Sequence, residues 1–180
     1  RVVSAEKAML FSHKGKIIND PKSNYNANNK IDQLNFARNY KKGIHIPNTL
    51  ITNNPEDLRE FYNSNKKICH KLQRMQLIER DGNYLTNYNS IVKKRDLKNS
   101  DLIKNYPCLF QSYIDKNYEL RITALENKVI GIAIHSQNSE LSKHDFRKYD
   151  FEKVNYEKIN LPNNVEKFCS DLIKHYGLSF

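Results

Sequence analysis

Residues 108–135 constrain this chain most. Cys108-Leu-Phe-Gln-Ser-Tyr-Ile114 is rich in strand-forming residues and runs into a turn at Asp115 to Asn117. Glu119 to Leu125 and Val129 to His135 follow as two further stretches around Asn127-Lys128. In the first of these, Leu120, Ile122 and Ala124 alternate with Glu119, Arg121 and Thr123, the period of a half-buried strand. A period of two sends Glu119 and Arg121 to the same face. The chain must therefore build sheet, and hairpin connections make it antiparallel.

Helical signals surround this block. Arg1 to Phe11 reads as the end of a helix, and Asn19-Asp20-Pro21 with the polar run Ser23 to Asn28 reads as loop. A helix is predicted from Asn29 to Lys42, capped by Asn28 or Asn29, with Ile31, Leu34 and Ala37 on one face and Gly43 as its stop. Ile46 to Thr52 reads as a strand. Asn54-Pro55-Glu56-Asp57 then supplies a cap, a proline at the first helical position and acids in the first turn, with Leu58, Phe61 and Tyr62 on one face behind them. Lys67 to Lys71 is a short strand, and Asp81-Gly82 is a hairpin signal between Leu77-Ile78 and Tyr84-Leu85. A last helix spans Asn163 to Tyr176 with an apolar stripe of Val165, Phe168, Cys169, Leu172, Ile173 and Tyr176, ended by Gly177. The whole reads as α+β in two lobes.

A length of 180 residues suits one domain, or two lobes sharing a cleft. Lys and Arg exceed Asp and Glu by 10, a surplus that attracts anions. A Lys- and Asn-rich composition of the kind AT-rich genomes favour gives the same surplus, so charge alone names no partner. The cysteines, Cys69, Cys108 and Cys169, are odd in number and form no Cys-x-x-Cys, which argues against a disulfide framework or a structural zinc and for a reducing cytoplasm. No apolar run approaches a membrane span, and Arg1 starts no signal peptide. Arg1 is not an initiator Met and Phe180 falls where a strand is expected to start, so both ends are expected to be cut from a longer protein.

Several polar residues stand where a nucleotide would need them, each with a plainer alternative. Lys30 opens a helix, whose free N–H groups already favour phosphate, but a solvated lysine is the plainer reading. Lys71 ends a strand and suits a phosphate contact, or protects a sheet edge. Gln111, with Tyr113 and Ile114 after it, suits the polar edge and ring of adenine, or is an ordinary strand residue. Glu119 suits ribose hydroxyls and Arg121 phosphate, or the two form an ion pair on a wet face. Arg147 in His144-Asp145-Phe146-Arg147 suits an anion, or belongs to a surface turn. There is no Gly-x-x-x-x-Gly-Lys-Ser/Thr, no Gly-x-Gly-x-x-Gly, no His-Glu-x-x-His and no metal-ligand spacing among the six histidines.

The order of these pieces is more specific than any one of them. Asn29-Lys30-Ile-Asp-Gln33-Leu34 to Ala37, Gly43 to Thr52, Lys71, and Pro107-Cys-Leu-Phe-Gln111-Ser-Tyr-Ile114-Asp-Lys116-Asn-Tyr-Glu119-Leu-Arg121 together resemble the ATP-grasp superfamily, closest to the peptide maturases of the microviridin and graspetide type. Ile134-His-Ser136-Gln137, Asp145-Phe-Arg147, Leu161-Pro162 and Gly177-Leu-Ser-Phe180 extend the resemblance over nearly the whole chain. It implies an ATP-grasp fold of two α+β lobes with antiparallel sheets holding ATP between them. Residues 1–46 would be the end of a pre-grasp region and its linking helix, 47–107 the central small lobe and 108–180 the start of the C-terminal lobe.

The resemblance also assigns roles. Lys30 and Lys71 match lysines on the ATP phosphates, Gln111, Tyr113 and Ile114 the adenine hinge, and Glu119 the ribose acid. Arg121 and Arg147 match arginines near the γ-phosphate and acyl-phosphate site. The implied partner is a precursor peptide, with a leader and an acidic core, and the implied cofactors are ATP and Mg²⁺. An Asp or Glu side chain is phosphorylated by ATP and attacked by a Thr, Ser or Lys side chain of the same peptide. No metal ligand is assigned: the family's Asp, Glu and Asn are expected beyond Phe180. The segment Leu72 to Arg80 lacks the Gly-rich phosphate flap of many ATP-grasp enzymes. Alternatives are a ligase adding an amino acid to a protein or small acceptor, and an inactive peptide-binding module. No membrane is implied, nucleic acid is disfavoured as a partner, and a homodimer is left open.

Overall fold

The computed structural model describes residues 2–15, 17–40, 43–73, 77–126 and 128–180. In chain order come α1 (Val2–Ser12), α2 (Pro21–Ala27), α3 (Lys30–Asn39), β1 (Thr49–Thr52), α4 (Pro55–Asn65), β2 (Ile68–Lys71), β3 (Leu77–Arg80), β4 (Asn83–Thr86) and β5 (Ser90–Ile91). A 3₁₀ segment, Lys94–Asn105, leads to β6 (Cys108–Ser112), β7 (Glu119–Leu125) and β8 (Lys128–Ile134). A 3₁₀ turn at Ser136–Asn138, then β9 (Tyr156–Ile159) and α5 (Asn163–Tyr176), complete the order. Expectations that touch Arg1, Lys41, Lys42, Asn127 and the middle of Leu72 to Arg80, at 74–76, lie outside the described residues. The chain divides into two compact units.

The first unit comprises Arg1–His45, Ile122–Gly131 and Lys158–Phe180. The stretch expected as loop after Asn19 contains α2. The Asp20 carboxylate accepts from the Ser23 N–H at 2.9 Å, and Pro21 occupies the first turn, where a missing N–H costs nothing. Its sequence has no apolar period, so only the cap marks it. Asn29, not Asn28, caps α3, accepting from the N–H groups of Ile31 and Asp32. That helix ends at Asn39. Tyr40 leaves the helical path, packs edge-on against Phe168 with ring centroids 5.0 Å apart, and donates its hydroxyl to Asp171 Oδ2 at 2.8 Å. The helix α5 has the expected bounds, and Gly177, at φ 64° and ψ 36°, closes it in the left-handed region open to glycine. Residues 178–180 carry no strand, in contrast to the expectation at Phe180; the Asn19 side chain instead accepts the Ser179 N–H at 2.7 Å.

The second unit comprises Ile46–Arg121 and Ile132–Glu157. Its main sheet has the order β1-β6-β2-β5. β6 lies antiparallel between β1 and β2, with Gln111 opposite both Thr49 and Cys69. The strand expected from Ile46 begins only at Thr49, because Pro47 has no N–H for a ladder. Asn54 caps α4 by accepting from the Glu56 N–H at 3.0 Å, and Thr52 donates to Asp57 at 2.7 Å. On one sheet face Ile68 and Phe110 bury against Leu58 of α4, with Leu97 and Ile103 of the 3₁₀ segment packed around them. Strand alternation then leaves Cys69, Lys71 and Gln111 on the opposite face.

β3 and β4 form a separate hairpin at Asp81-Gly82, as expected, and β7, β8 and β9 form a sheet in the order β7-β8-β9. Between β8 and β9, buried hydroxyls organise the chain: Ser142 Oγ donates to the Ser136 carbonyl at 2.9 Å and Ser139 Oγ to Asp150 at 2.6 Å. This loop carries His144 to Arg147. Among the described residues no helix is long and apolar enough to cross a membrane.

Candidate functional site

The sheet face opposite the helices opens into a cavity of about 260 Å³ within the second unit. Lys71, Gln111, Tyr113, Ile114 and Glu119 all line it. Three of the elements needed for this are local. Cys69 and Lys71 share a face of β2, Gln111 lies opposite Cys69 on β6, and Tyr113 and Ile114 continue β6 into the segment before β7. β2 is an inner strand, so Lys71 is no edge protector.

Each side chain is held. Gln111 is buried, and its Nε2 donates to Thr49 Oγ1 at 3.1 Å. This differs from an amide free to read a base, because a buried amide must find a partner. Gln111 and the chain that follows it still line the cavity. Glu119 accepts from Ser136 Oγ at 3.0 Å and pairs with Lys116 Nζ at 3.0 Å. It therefore makes a local pair with Lys116, three residues before it. The Tyr113 ring carries the Lys67 ammonium 3.8 Å above its centroid and shares a 3.0 Å hydrogen bond with His144 Nδ1. Burial, and then Lys67, Lys116 and Lys143, push the His144 pKa down, so it is neutral at pH 7. Burial raises the Cys69 thiol pKa against the opposing pull of Lys71 and Lys116.

Sequence reading missed Lys116, His144 and Cys69 as lining residues. Lys116 could have been found from its three-residue spacing to Glu119, but lysine is too common here for that to stand out. His144 reaches Tyr113 across 31 positions, which no local pattern encodes.

Arg121 and Arg147 line a different cavity, of about 570 Å³. Period two explains the split: Arg121 lies two residues beyond Glu119 on β7, on the same face but further along. Ile132 and Ile134 of β8 and Tyr156 of β9 line it too. Arg147 is fixed by Asp145, a residue only 3% exposed, whose Oδ1 accepts from the Arg147 Nε at 2.8 Å and whose Oδ2 takes the guanidinium's second bond. That burial excludes a simple surface turn. Asn89 and His144 line the first cavity while Tyr88 and Phe146 line the second, and the Asn89 N–H donates to Asp145 at 2.9 Å. Lys30 stands at the first position of α3, in the first unit, and lines neither cavity.

The arrangement is a cavity lined by Lys71, Lys116 and one acid, Glu119, beside a second cavity lined by Arg121 and Arg147. No protein-family model matches the chain, and no curated protein does. Solved structures do. A RiPP-associated ATP-grasp ligase of Chryseobacterium gregarium, in complex with ADP and a leader and core peptide, is 29% identical with a TM-score of 0.86; the match covers 99% of this chain and 53% of that one. The macrocyclase MdnC of Microcystis aeruginosa MRC, bound with precursor peptide MdnA, is 30% identical with a TM-score of 0.80, over 98% of this chain and 54% of that one. The D-alanine–D-alanine ligase of Bacillus anthracis, complexed with ATP, is 18% identical with a TM-score of 0.54, over 86% of this chain and 49% of that one, a likeness of fold.

The chain thus has the α+β ATP-grasp fold. Within that fold its likeness is to the RiPP ligases, as the ordered motifs imply. It spans about half the length of the structures it matches.

Proposed function

We propose that this chain is the nucleotide- and carboxylate-binding part of an ATP-dependent ligase that modifies a precursor peptide. One observation carries the reading: the residues singled out for adenine, ribose and phosphate, from Lys71 to Glu119, line one cavity. Lys71 and Lys116 supply cations for a polyphosphate, and a carboxylate at Glu119 suits ribose hydroxyls. The chain at Tyr113 and Ile114 borders the base. Lys30 takes its phosphate role from the resemblance alone.

The reaction proposed is the one that the resemblance to the peptide maturases implies. A peptide carboxylate held by Arg121 and Arg147 attacks the γ-phosphorus of ATP, giving an acyl phosphate and ADP. A Thr or Ser hydroxyl, or a Lys amine, then attacks the acyl carbon, loses its proton and expels phosphate. The peptide loses one water per ester or amide formed. Arg121 and Arg147 orient the carboxylate and offset charge on the transferring phosphoryl group, the positioning and electrostatic terms on which such transfers depend. Magnesium would screen the polyphosphate in such an enzyme. Among the described residues no group of three acidic, His or Cys side chains converges to hold it.

Calorimetry with ADP and ATP, in the presence of magnesium, tests the nucleotide site. Replacing Lys71 by Ala removes a charge-assisted contact and should weaken binding about ten- to a hundredfold. Unchanged affinity in Lys71→Ala would remove the cavity from the reading. Absence of nucleotide binding in the wild type would favour an inactive peptide-binding module.

A further inference from the structure

The arginine cavity has an aromatic side that the ligase chemistry does not use. Tyr149 and Tyr156 line it. Tyr149 stacks on Phe151 with ring centroids 5.2 Å apart and only 6° between planes, and Phe151 stacks on Tyr156 at 6.3 Å. The row stays open to water: Tyr149 is 55% exposed, Phe151 76% and Tyr156 44%. Aromatic rings gathered and left uncovered mark a contact surface more often than scattered apolar residues do. Their mutual stacking also fixes them before any ligand arrives. The other side of the cavity is cationic, with Arg121 and Arg147, and the Lys148 ammonium lies 5.3 Å from the Tyr88 ring centroid.

We propose that the Tyr149–Phe151–Tyr156 row is a specificity surface, selecting peptides that carry an aromatic side chain two residues from the acid to be activated. The inference rests on the reading of Arg121 and Arg147 as the carboxylate site. An extended peptide rises about 3.3 Å per residue, so neighbouring side chains on one edge stand about 7 Å apart. Two of the row's three rings, Tyr149 and Tyr156, belong to the same cavity wall as Arg121 and Arg147. Charge holds the acid and the aromatic row reads its neighbour, which gives discrimination that charge alone cannot supply.

The test uses two fluorescein-labelled peptides, Gly-Phe-Ser-Glu-Gly-Ser and its Ala-for-Phe counterpart, titrated by anisotropy. The Phe peptide should bind about fivefold more tightly, the scale of one aromatic contact. Phe151→Ala, outside the cavity lining, should bring that ratio close to one while leaving the Ala peptide's affinity unchanged. Arg121→Ala should weaken both peptides by one factor and keep their ratio. Equal affinities in the wild type, or a preference that survives Phe151→Ala, overturn the specificity surface alone. Binding of neither peptide overturns the carboxylate site and this surface with it. Tight, Phe151-dependent binding of an oligo-dT strand, with no peptide preference, would assign the row to stacked bases and reject the proposal.

Discussion

The Asp145 carboxylate uses both of its oxygens. Oδ1 accepts from Nε and from the backbone N–H of Arg147, at 2.8 and 3.2 Å, while Oδ2 accepts from the Asn89 N–H at 2.9 Å and from the guanidinium. Burial alone would raise its pKa, but the bonds from Arg147 and Asn89 outweigh burial and hold it below the usual carboxylate value. A depressed folded pKa contributes stability that is fully present above the unfolded value, near 3.8, and is lost as pH falls through the folded one. Asp145→Asn should therefore cost about 2–3 kcal/mol at neutral pH, the worth of hydrogen bonds to a buried charge. Denaturant titrations should find the gap to wild type closing as pH drops below 3.8; a gap that is constant with pH would deny the ion pair its role. Nothing local in the sequence announces this residue's work. Asp145 and Arg147 are legible as a short motif, whereas the bond to Asn89 spans 56 positions.

At the scale of elements, α3 and α5 are joined by two reciprocal tyrosine–aspartate bonds. Tyr40 beside α3 donates to Asp171 of α5, and Tyr176 of α5 donates to Asp32 of α3, each at 2.8 Å. Tyr176 is buried, and burial, reinforced by Asp32, pushes its phenol up to about 12. Tyr176→Phe should cost about 1–2 kcal/mol near neutrality. The phenol must be protonated to donate, and its folded pKa is raised. Its contribution is thus complete below the unfolded value of 10.0 and disappears as pH rises through about 12. Thermal melts of the two proteins should converge over that window and stay apart below it; equal melting temperatures at pH 7 would mean the bond contributes nothing. The same helices illustrate what sequence can reveal. The Asn54 cap made the start of α4 readable, and the apolar stripe ended by Gly177 made α5 readable with its bounds. The Lys94–Asn105 segment was not. Its half-buried Leu97 and Ile103 stand on either side of a kink at Asn99, so no single period links them, and Leu102 is 74% exposed. β9 was equally hidden, since Tyr156, Glu157 and Lys158 are all exposed and only pairing makes them a strand. Within the Lys71 cavity, the residues on β2 and β6 were legible because they sit in ordered motifs, while His144 and Lys116 are brought in by loops.

For the whole molecule, the decisive quantity is a net charge of +10. Many acids are already neutralised at the surface, as in Lys104–Asp101, Lys143–Glu140 and Lys167–Asp171. Such exposed pairs add little stability, but they leave the remaining cations as the long-range field. That field should steer an acidic peptide toward the protein and act mainly on the rate of association. Screening shortens its reach from about 10 Å at 0.1 M salt to about 3 Å at 1 M. Raising sodium chloride across that range should weaken an acidic peptide about tenfold, chiefly through slower association in stopped-flow traces. Nucleotide contacts made at close range inside the Lys71 cavity should weaken less over the same range. Peptide affinity that ignores salt would remove charge as the main attraction and leave the aromatic row, rather than the field, to explain recognition. Affinities for peptide and nucleotide that fall together would instead mean that both are drawn by the same diffuse charge, and that the two cavities add little selectivity of their own.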